Sequence, residues 1–121
     1  MPPETNAVAR ARSFVSTTLR AWAAPEDAAD TIQLLASELV TNAIVHGLPP
    51  IELRLRRTAQ EILLEVLDGA NFIPRKLRPT PDDEHGRGLQ LVALLADRWG
   101  TRVTEQGKAM WCVTGLKSYD L

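Results

Sequence analysis

Apolar and polar positions alternate with the period of an α-helix in the first part of the chain. The spacing predicts an amphipathic helix over residues 7–23, with Asn6 as its N-cap and residues 1–6 frayed. A second helix is predicted over residues 26–46, with acidic residues in its first turn and Gly47 at its end. The apolar surface of this second helix consists of Ile32, Leu35, Leu39, Ala43 and Val45.

Two strands are predicted after the second helix. Residues 51–56 alternate strictly between apolar and polar, which predicts a strand with one solvent-exposed face. Residues 61–68 form a second strand that is apolar on both faces and therefore lies more centrally in the sheet.

The rest of the chain combines a long loop, one helix and a hairpin. Residues 69–86 contain glycines and prolines without periodicity, and a loop of this length inside a compact domain is usually functional, often a lid. A third helix is predicted from about Gly88 to Trp99-Gly100, followed by a hairpin that turns at Gln106-Gly107.

The order of these elements predicts the fold class. Helices and strands do not alternate one for one, which argues against a doubly wound parallel sheet. The order favours an α+β fold, a two-layer α/β sandwich with the helices on one face of a mixed, mostly antiparallel sheet. Residues 1–121 are predicted to form a single domain, because 121 residues are enough to bury one core.

Composition narrows the possible surroundings and partners. Hydrophobic residues make up 45% of the chain and charged residues 24%, as in globular domains, and the net charge of -1 offers no overall basic field for nucleic acid or an anionic membrane. The lone Cys112 cannot form an internal disulfide, and two histidines and one cysteine do not suggest a zinc site. With no leader or membrane-spanning pattern in the sequence, we expect a cytoplasmic location.

Three polar residues of the second predicted helix lie on one helical face. Glu38, Asn42 and His46 are spaced at i, i+4 and i+8. A carboxylate and a carboxamide one turn apart suit Mg²⁺, and the carboxylate can equally serve as a general base. A solvated helix edge would show the same spacing.

Two further motifs suit nucleotide binding. Asp68 ends the buried strand beside Gly69, where a carboxylate can accept a hydrogen bond from a ligand amine, although Asp-Gly is also a common turn pair. The sequence Gly86-Arg87-Gly88-Leu89 precedes the third helix, where free backbone N–H groups and an arginine can hold phosphate, although a flexible helix entry would look alike.

Taken in order, these motifs resemble the GHKL (Bergerat-fold) ATPases, most closely the small anti-sigma-factor serine/threonine kinases. Residues 37–47 are similar to the N-box of that family, and residues 86–89 are similar to its second glycine box. The resemblance spans about residues 7–115.

The resemblance implies a function and a role for each residue. Glu38 would be the general base, and Asn42 would ligate the Mg²⁺ that bridges the triphosphate of ATP. His46 of the N-box and Ala70 would also belong to the ATP-binding site, and Asp68 would bind the adenine amine. The phosphates would be held by Gly86, Arg87 and Gly88, and Leu89 would also belong to the ATP-binding site. Residues 69–86 would form the ATP lid. The implied partners are ATP or ADP, a sigma factor, an antagonist protein that accepts the phosphate and a second copy of the chain; neither direct nucleic-acid binding nor membrane binding is implied.

Two positions depart from the family pattern. Ala70 stands where the family carries the glycine of an Asp-x-Gly motif, and Ala109 aligns with a threonine that helps to hold adenine. Both departures favour an alternative, a catalytically silent ATP-binding regulatory module. Two further alternatives are the ATP-binding half of a histidine kinase acting in trans and a small interaction domain without nucleotide.

Overall fold

A computed structural model describes residues 3–70 and 84–116, with side chains for residues 6–70 and 90–116. It contains helices α1 (Pro3–Ala21), α2 (Glu26–His46) and α3 (Glu84–Leu95). Its strands are β1 (Glu52–Arg57), β2 (Glu61–Asp68), β3 (Arg98–Val103) and β4 (Lys108–Gly115). The expected lid falls largely on residues 71–83, which lie outside this description.

The four strands form one sheet in the order β1-β2-β4-β3. Each of the three strand pairings that the described residues make is antiparallel. The centre of the sheet is the β2–β4 pair, in which Leu64 lies opposite Cys112 and Asp68 opposite Lys108. The burial of β2 on both faces agrees with its central place.

The core lies between the helices and one face of this sheet. The helix α2 contacts the two central strands β2 and β4, and both α1 and α3 pack against α2. The fully buried side chains at this interface include Val15, Ile32, Leu35, Leu39, Ile62, Leu64, Val66, Val92 and Cys112. The predicted two-layer α+β sandwich is therefore confirmed.

Several predicted boundaries need correction. The helix α1 begins at Pro3, so residues 3–6 are helical and Asn6 lies inside the helix instead of capping it. The exposed Val45 does not belong to the apolar surface of α2, because it points away from the sheet. In the part of the chain that is described, no helix is long and apolar enough to span a membrane.

The third helix is shifted towards the N-terminus relative to its prediction. It starts at Glu84 and ends at Leu95, whereas the sequence predicted about Gly88 to Trp99-Gly100. Asp97 N donates to Val113 O, so the chain has already joined the sheet before Trp99. Trp99 packs against the core from β3, and an apolar side chain can do this equally well from a helix or a strand.

Candidate functional site

The end of α2 and the end of β2 meet at one edge of the sandwich. Gly47 follows α2 with an extended backbone (φ −96°), so no left-handed conformation requires a glycine there. The reason for glycine is space. A Cβ atom at this position would lie 2.6 Å from Asp68 Cγ and 2.6 Å from Ala43 O. The His46-Gly47 pair thus lets the Asp68 carboxylate approach the helix end.

Two groups hold the Asp68 carboxylate. The backbone N–H of Ala70 donates to Oδ1 at 2.8 Å, and the ammonium of Lys108 donates to Oδ2 at 2.5 Å. The side chains of Asp68 and Lys108 are only 2% and 1% exposed, so solvent does little to weaken this ion pair. The carboxylate is therefore fixed in orientation and compensated in charge.

Lys108, which contacts Asp68, was not among the site residues predicted from the sequence. It opens β4, whose next five residues are Ala109, Met110, Trp111, Cys112 and Val113. The available signal in the sequence was a charged residue at the start of an apolar strand. This strand lies directly opposite the strand that ends in Asp68.

The expectation for Ala109 is wrong. Side chains alternate along a strand, and Lys108 and Met110 both point to the helix side, where they contact Asp68 and Asn42. Ala109 therefore points to the opposite face of the sheet. A threonine at this position could not reach Asp68, and the residue of β4 that does face the carboxylate is Lys108.

The helix α2 brings the other predicted residues to the same edge. Asn42 is half-buried and its Nδ2 donates to Met110 Sδ at 3.1 Å, which leaves the Oδ1 oxygen of the carboxamide for a cation or a ligand. His46 is also half-buried and occupies the last helical position before Gly47. None of the three predicted polar residues lies on a fully solvated helix edge.

Glu38 lies one turn before Asn42 on α2. It is half-buried and lines the groove between α1 and α2, together with Arg12, Ser16 and Gln33. Among the described residues it has no hydrogen-bond or ion-pair partner, so its carboxylate is available to accept a proton from a group that enters the groove.

The second glycine box is placed only by its backbone. The helix α3 begins at Glu84, so Gly86 and Arg87 lie in its first turn, where backbone N–H groups have no partner within the helix, and Gly88 and Leu89 follow in the second turn. The helix α3 packs along α2, which is the element that carries Glu38 and Asn42. A nucleotide-binding role for these four residues stays a prediction, because their side chains lie outside the description.

The donor set fits ATP and Mg²⁺. The described residues contain no group of three or more histidine, cysteine, aspartate or glutamate side chains that could hold a metal by themselves. Mg²⁺ sites that share the ion with substrate phosphates need few oxygen ligands from the protein, and the carboxamide oxygen of Asn42 can be one of them. Beside it, the Asp68 carboxylate can accept from the amine of a purine.

Comparison with known proteins identifies the family. The model of the histidine kinase-like ATPase domain family matches residues 1–114, so the chain belongs to this family. No curated protein matches the sequence of the chain. Among solved structures, 46 chains match.

One of these structures is the histidine kinase domain from the Erythrobacter litoralis EL346 blue-light activated histidine kinase. It is 25% identical with a TM-score of 0.58, and the match covers 76% of this chain and 46% of that chain. The chain thus spans about half the length of this solved relative. The protein is an ATP-binding domain of GHKL type, with the α+β fold predicted for it.

Proposed function

We propose that this protein binds ATP with Mg²⁺ and transfers the γ-phosphate to a serine or threonine of a partner protein, as an anti-sigma-type regulator. The observation that supports it best is the arrangement along α2. Along α2 the chain passes Glu38, then Asn42, and then reaches Gly47, which lies against Asp68. A candidate general base, a candidate metal ligand and the carboxylate proposed to bind adenine therefore follow one another in this order.

Each residue has a defined task in this proposal. Asp68 accepts a hydrogen bond from the adenine amine, and Asn42 holds Mg²⁺, which neutralises phosphate charge when it is bound. Glu38 accepts the proton of the attacking hydroxyl from the groove between α1 and α2. Phosphoryl transfer depends mainly on such positioning and on charge stabilisation.

The partners follow from the same proposal. The hydroxyl belongs to an antagonist protein, and a sigma factor is the second partner whose binding the phosphorylation state controls. The resemblance of residues 37–47 to the N-box of anti-sigma kinases supports this partner class.

The first experiment measures nucleotide binding. We expect calorimetric titration to detect Mg²⁺-ATP binding to the wild type and roughly 10- to 100-fold weaker binding to Asp68→Asn, which loses a charge-assisted acceptor. Asp97→Asn is the matched control, because Asp97 accepts from Gly115 N at the far end of β4. Absence of binding to the folded wild type would contradict the proposal.

A second candidate function is an ATP-binding regulatory module that transfers no phosphate. The observation that favours it is Ala70, whose methyl group is fully buried beside Asp68 where the family has a glycine. Glu38→Gln separates the two functions, since it should retain ATP and abolish transfer to the partner in a kinase. In a silent module the wild type itself phosphorylates no partner. Acid-stable phosphate on the partner would indicate serine or threonine, whereas acid-labile phosphate would indicate histidine.

A further inference from the structure

The ammonium of Lys108 is buried with most of its hydrogen-bonding capacity unused. The side chain is 1% exposed and donates to Asp68 Oδ2. A lysine ammonium carries three N–H donors, and among the described residues Asp68 is its only hydrogen-bond partner. Burying a charged donor without partners is unfavourable, so two N–H groups at this position indicate a ligand that accepts hydrogen bonds.

The Asp68 carboxylate, which pairs with Lys108, also has hydrogen-bonding capacity that is not used. The Asp68 carboxylate accepts one hydrogen bond on each oxygen, from Ala70 N and from Lys108. An ionised carboxylate has about four acceptor sites, so two remain. The pair therefore offers donors and acceptors side by side, at one buried place between the ends of β2 and β4.

This combination matches the edge of a purine ring. Adenine carries a donor, its 6-amino group, directly beside an acceptor, the ring nitrogen N1. An acceptor oxygen of Asp68 can accept a hydrogen bond from the 6-amino group. The ring nitrogen N1 needs a donor, and a carboxylate cannot supply one. Ala109 cannot supply that donor, because its side chain is a methyl group that also points to the other face of the sheet.

We propose that Lys108 is a specificity-determining residue that donates a hydrogen bond to N1 of the adenine ring while Asp68 accepts from the 6-amino group. This proposal rests on ATP being the ligand of the site. Lys108 thus contacts the adenine ring directly, in addition to fixing the carboxylate of Asp68.

The test compares ATP with 1-deaza-ATP, in which a C–H group replaces N1 and the 6-amino group remains. We expect the wild type to bind 1-deaza-ATP roughly 10- to 100-fold more weakly than ATP, which corresponds to loss of one charge-assisted hydrogen bond. The Lys108→Met variant keeps the length of the side chain without a donor. It should bind ATP and 1-deaza-ATP with affinities that differ by less than about 2-fold, because without the ammonium no hydrogen bond to N1 distinguishes the two nucleotides.

The outcomes separate this proposal from the proposed function. Equal binding of both nucleotides by the wild type would overturn the role of Lys108 while ATP binding stands, and this measurement needs no variant to fold. A difference that persists in folded Lys108→Met would overturn it as well, since another group would then contact N1. Binding of neither nucleotide by the wild type would overturn the proposed function and this inference together.

Discussion

For single residues, three separate parts of the chain shape the surroundings of the Asp68 carboxylate. Lys108 contributes an ammonium from β4, Ala70 a backbone N–H from the segment after β2, and Gly47 the space beside the end of α2. Asp68 is therefore kept in one orientation without a ligand, and in the proposed site this would reduce the conformational freedom lost on ATP binding.

Gly47→Ala tests how tightly that arrangement is packed. The added methyl group would meet the backbone oxygen of Ala43 and the carboxyl carbon of Asp68, each at 2.6 Å, and the helix backbone cannot yield easily. We expect a loss of about 1–3 kcal/mol in the free energy of unfolding, as for other overpacked sites, together with weaker ATP binding. Urea denaturation and calorimetry measure the two effects.

Gly115→Ala is the matched control for this variant. Its methyl group would approach the end of a flexible side chain, Asp97 Oδ2 at 2.8 Å, with the next atom, Gln60 O, at 4.0 Å. The control should lose less stability and retain ATP affinity. If both variants retain full ATP affinity, the contact between Gly47 and Asp68 does not shape the site.

At the scale of elements, the end of α1 shows how the chain turns into α2. Ala24 N donates to Leu19 O and Ala23 N donates to Arg20 O, each at 3.0 Å, which is the Schellman pattern of a helix C-terminus. The residue that takes the left-handed conformation in this motif is Ala23, with φ 53°. Most such positions are glycine, since a Cβ atom is unfavourable there.

Ala23→Gly should therefore stabilise the protein. Relief of the left-handed strain outweighs the greater freedom of glycine in the unfolded chain, and we expect a gain of about 0.5–1 kcal/mol in the free energy of unfolding. The control is Ala21→Gly, two residues earlier at the end of α1, which should lose up to about 1 kcal/mol. Chemical denaturation that shows the same sign for both substitutions would contradict this account.

At the scale of the whole molecule, stability depends on a single core between three helices and one face of a sheet. Cys112 lies in the middle of this core, on β4, and is 1% exposed. Burial raises the pKa of its thiol from 9.0 to about 12, because desolvation disfavours the thiolate. The buried thiol therefore contributes to stability at pH values where it is neutral in both the folded and the unfolded protein.

The sign of the resulting pH dependence can be stated. The folded pKa lies above the unfolded one, so the contribution is complete below about pH 9 and is lost as the pH rises towards 12. We expect the free energy of unfolding of the wild type, relative to Cys112→Ala, to fall by up to about 1.4 kcal/mol per pH unit above pH 9. Urea denaturation at pH 8 and pH 10 measures it, and parallel pH profiles would show that Cys112 does not titrate on unfolding.

Most of the fold and part of the site could be predicted from the sequence alone. The span of α2 and the span of β2 were predicted to the residue. The first carries an unbroken helical period that ends at a glycine, and the second is an apolar run that ends at Asp68-Gly69. The spacing of Glu38, Asn42 and His46 on α2 was also evident, because helical spacing is local. The GHKL resemblance built on these motifs is confirmed by the family match.

The groups that surround Asp68 could not be predicted from local sequence, because they depend on the tertiary structure. Lys108 is 40 positions away in the chain, and its contact with Asp68 depends on the register of β2 against β4. A shift of that register by one residue would place Ala109 at the carboxylate and Lys108 on the opposite face, and no local pattern excludes it. The end of α3 was decided in the same way, because Trp99 packs against the core only once β3 has paired with β4. Local periodicity specifies an element, whereas the partner of a buried charge is specified by how distant strands pair.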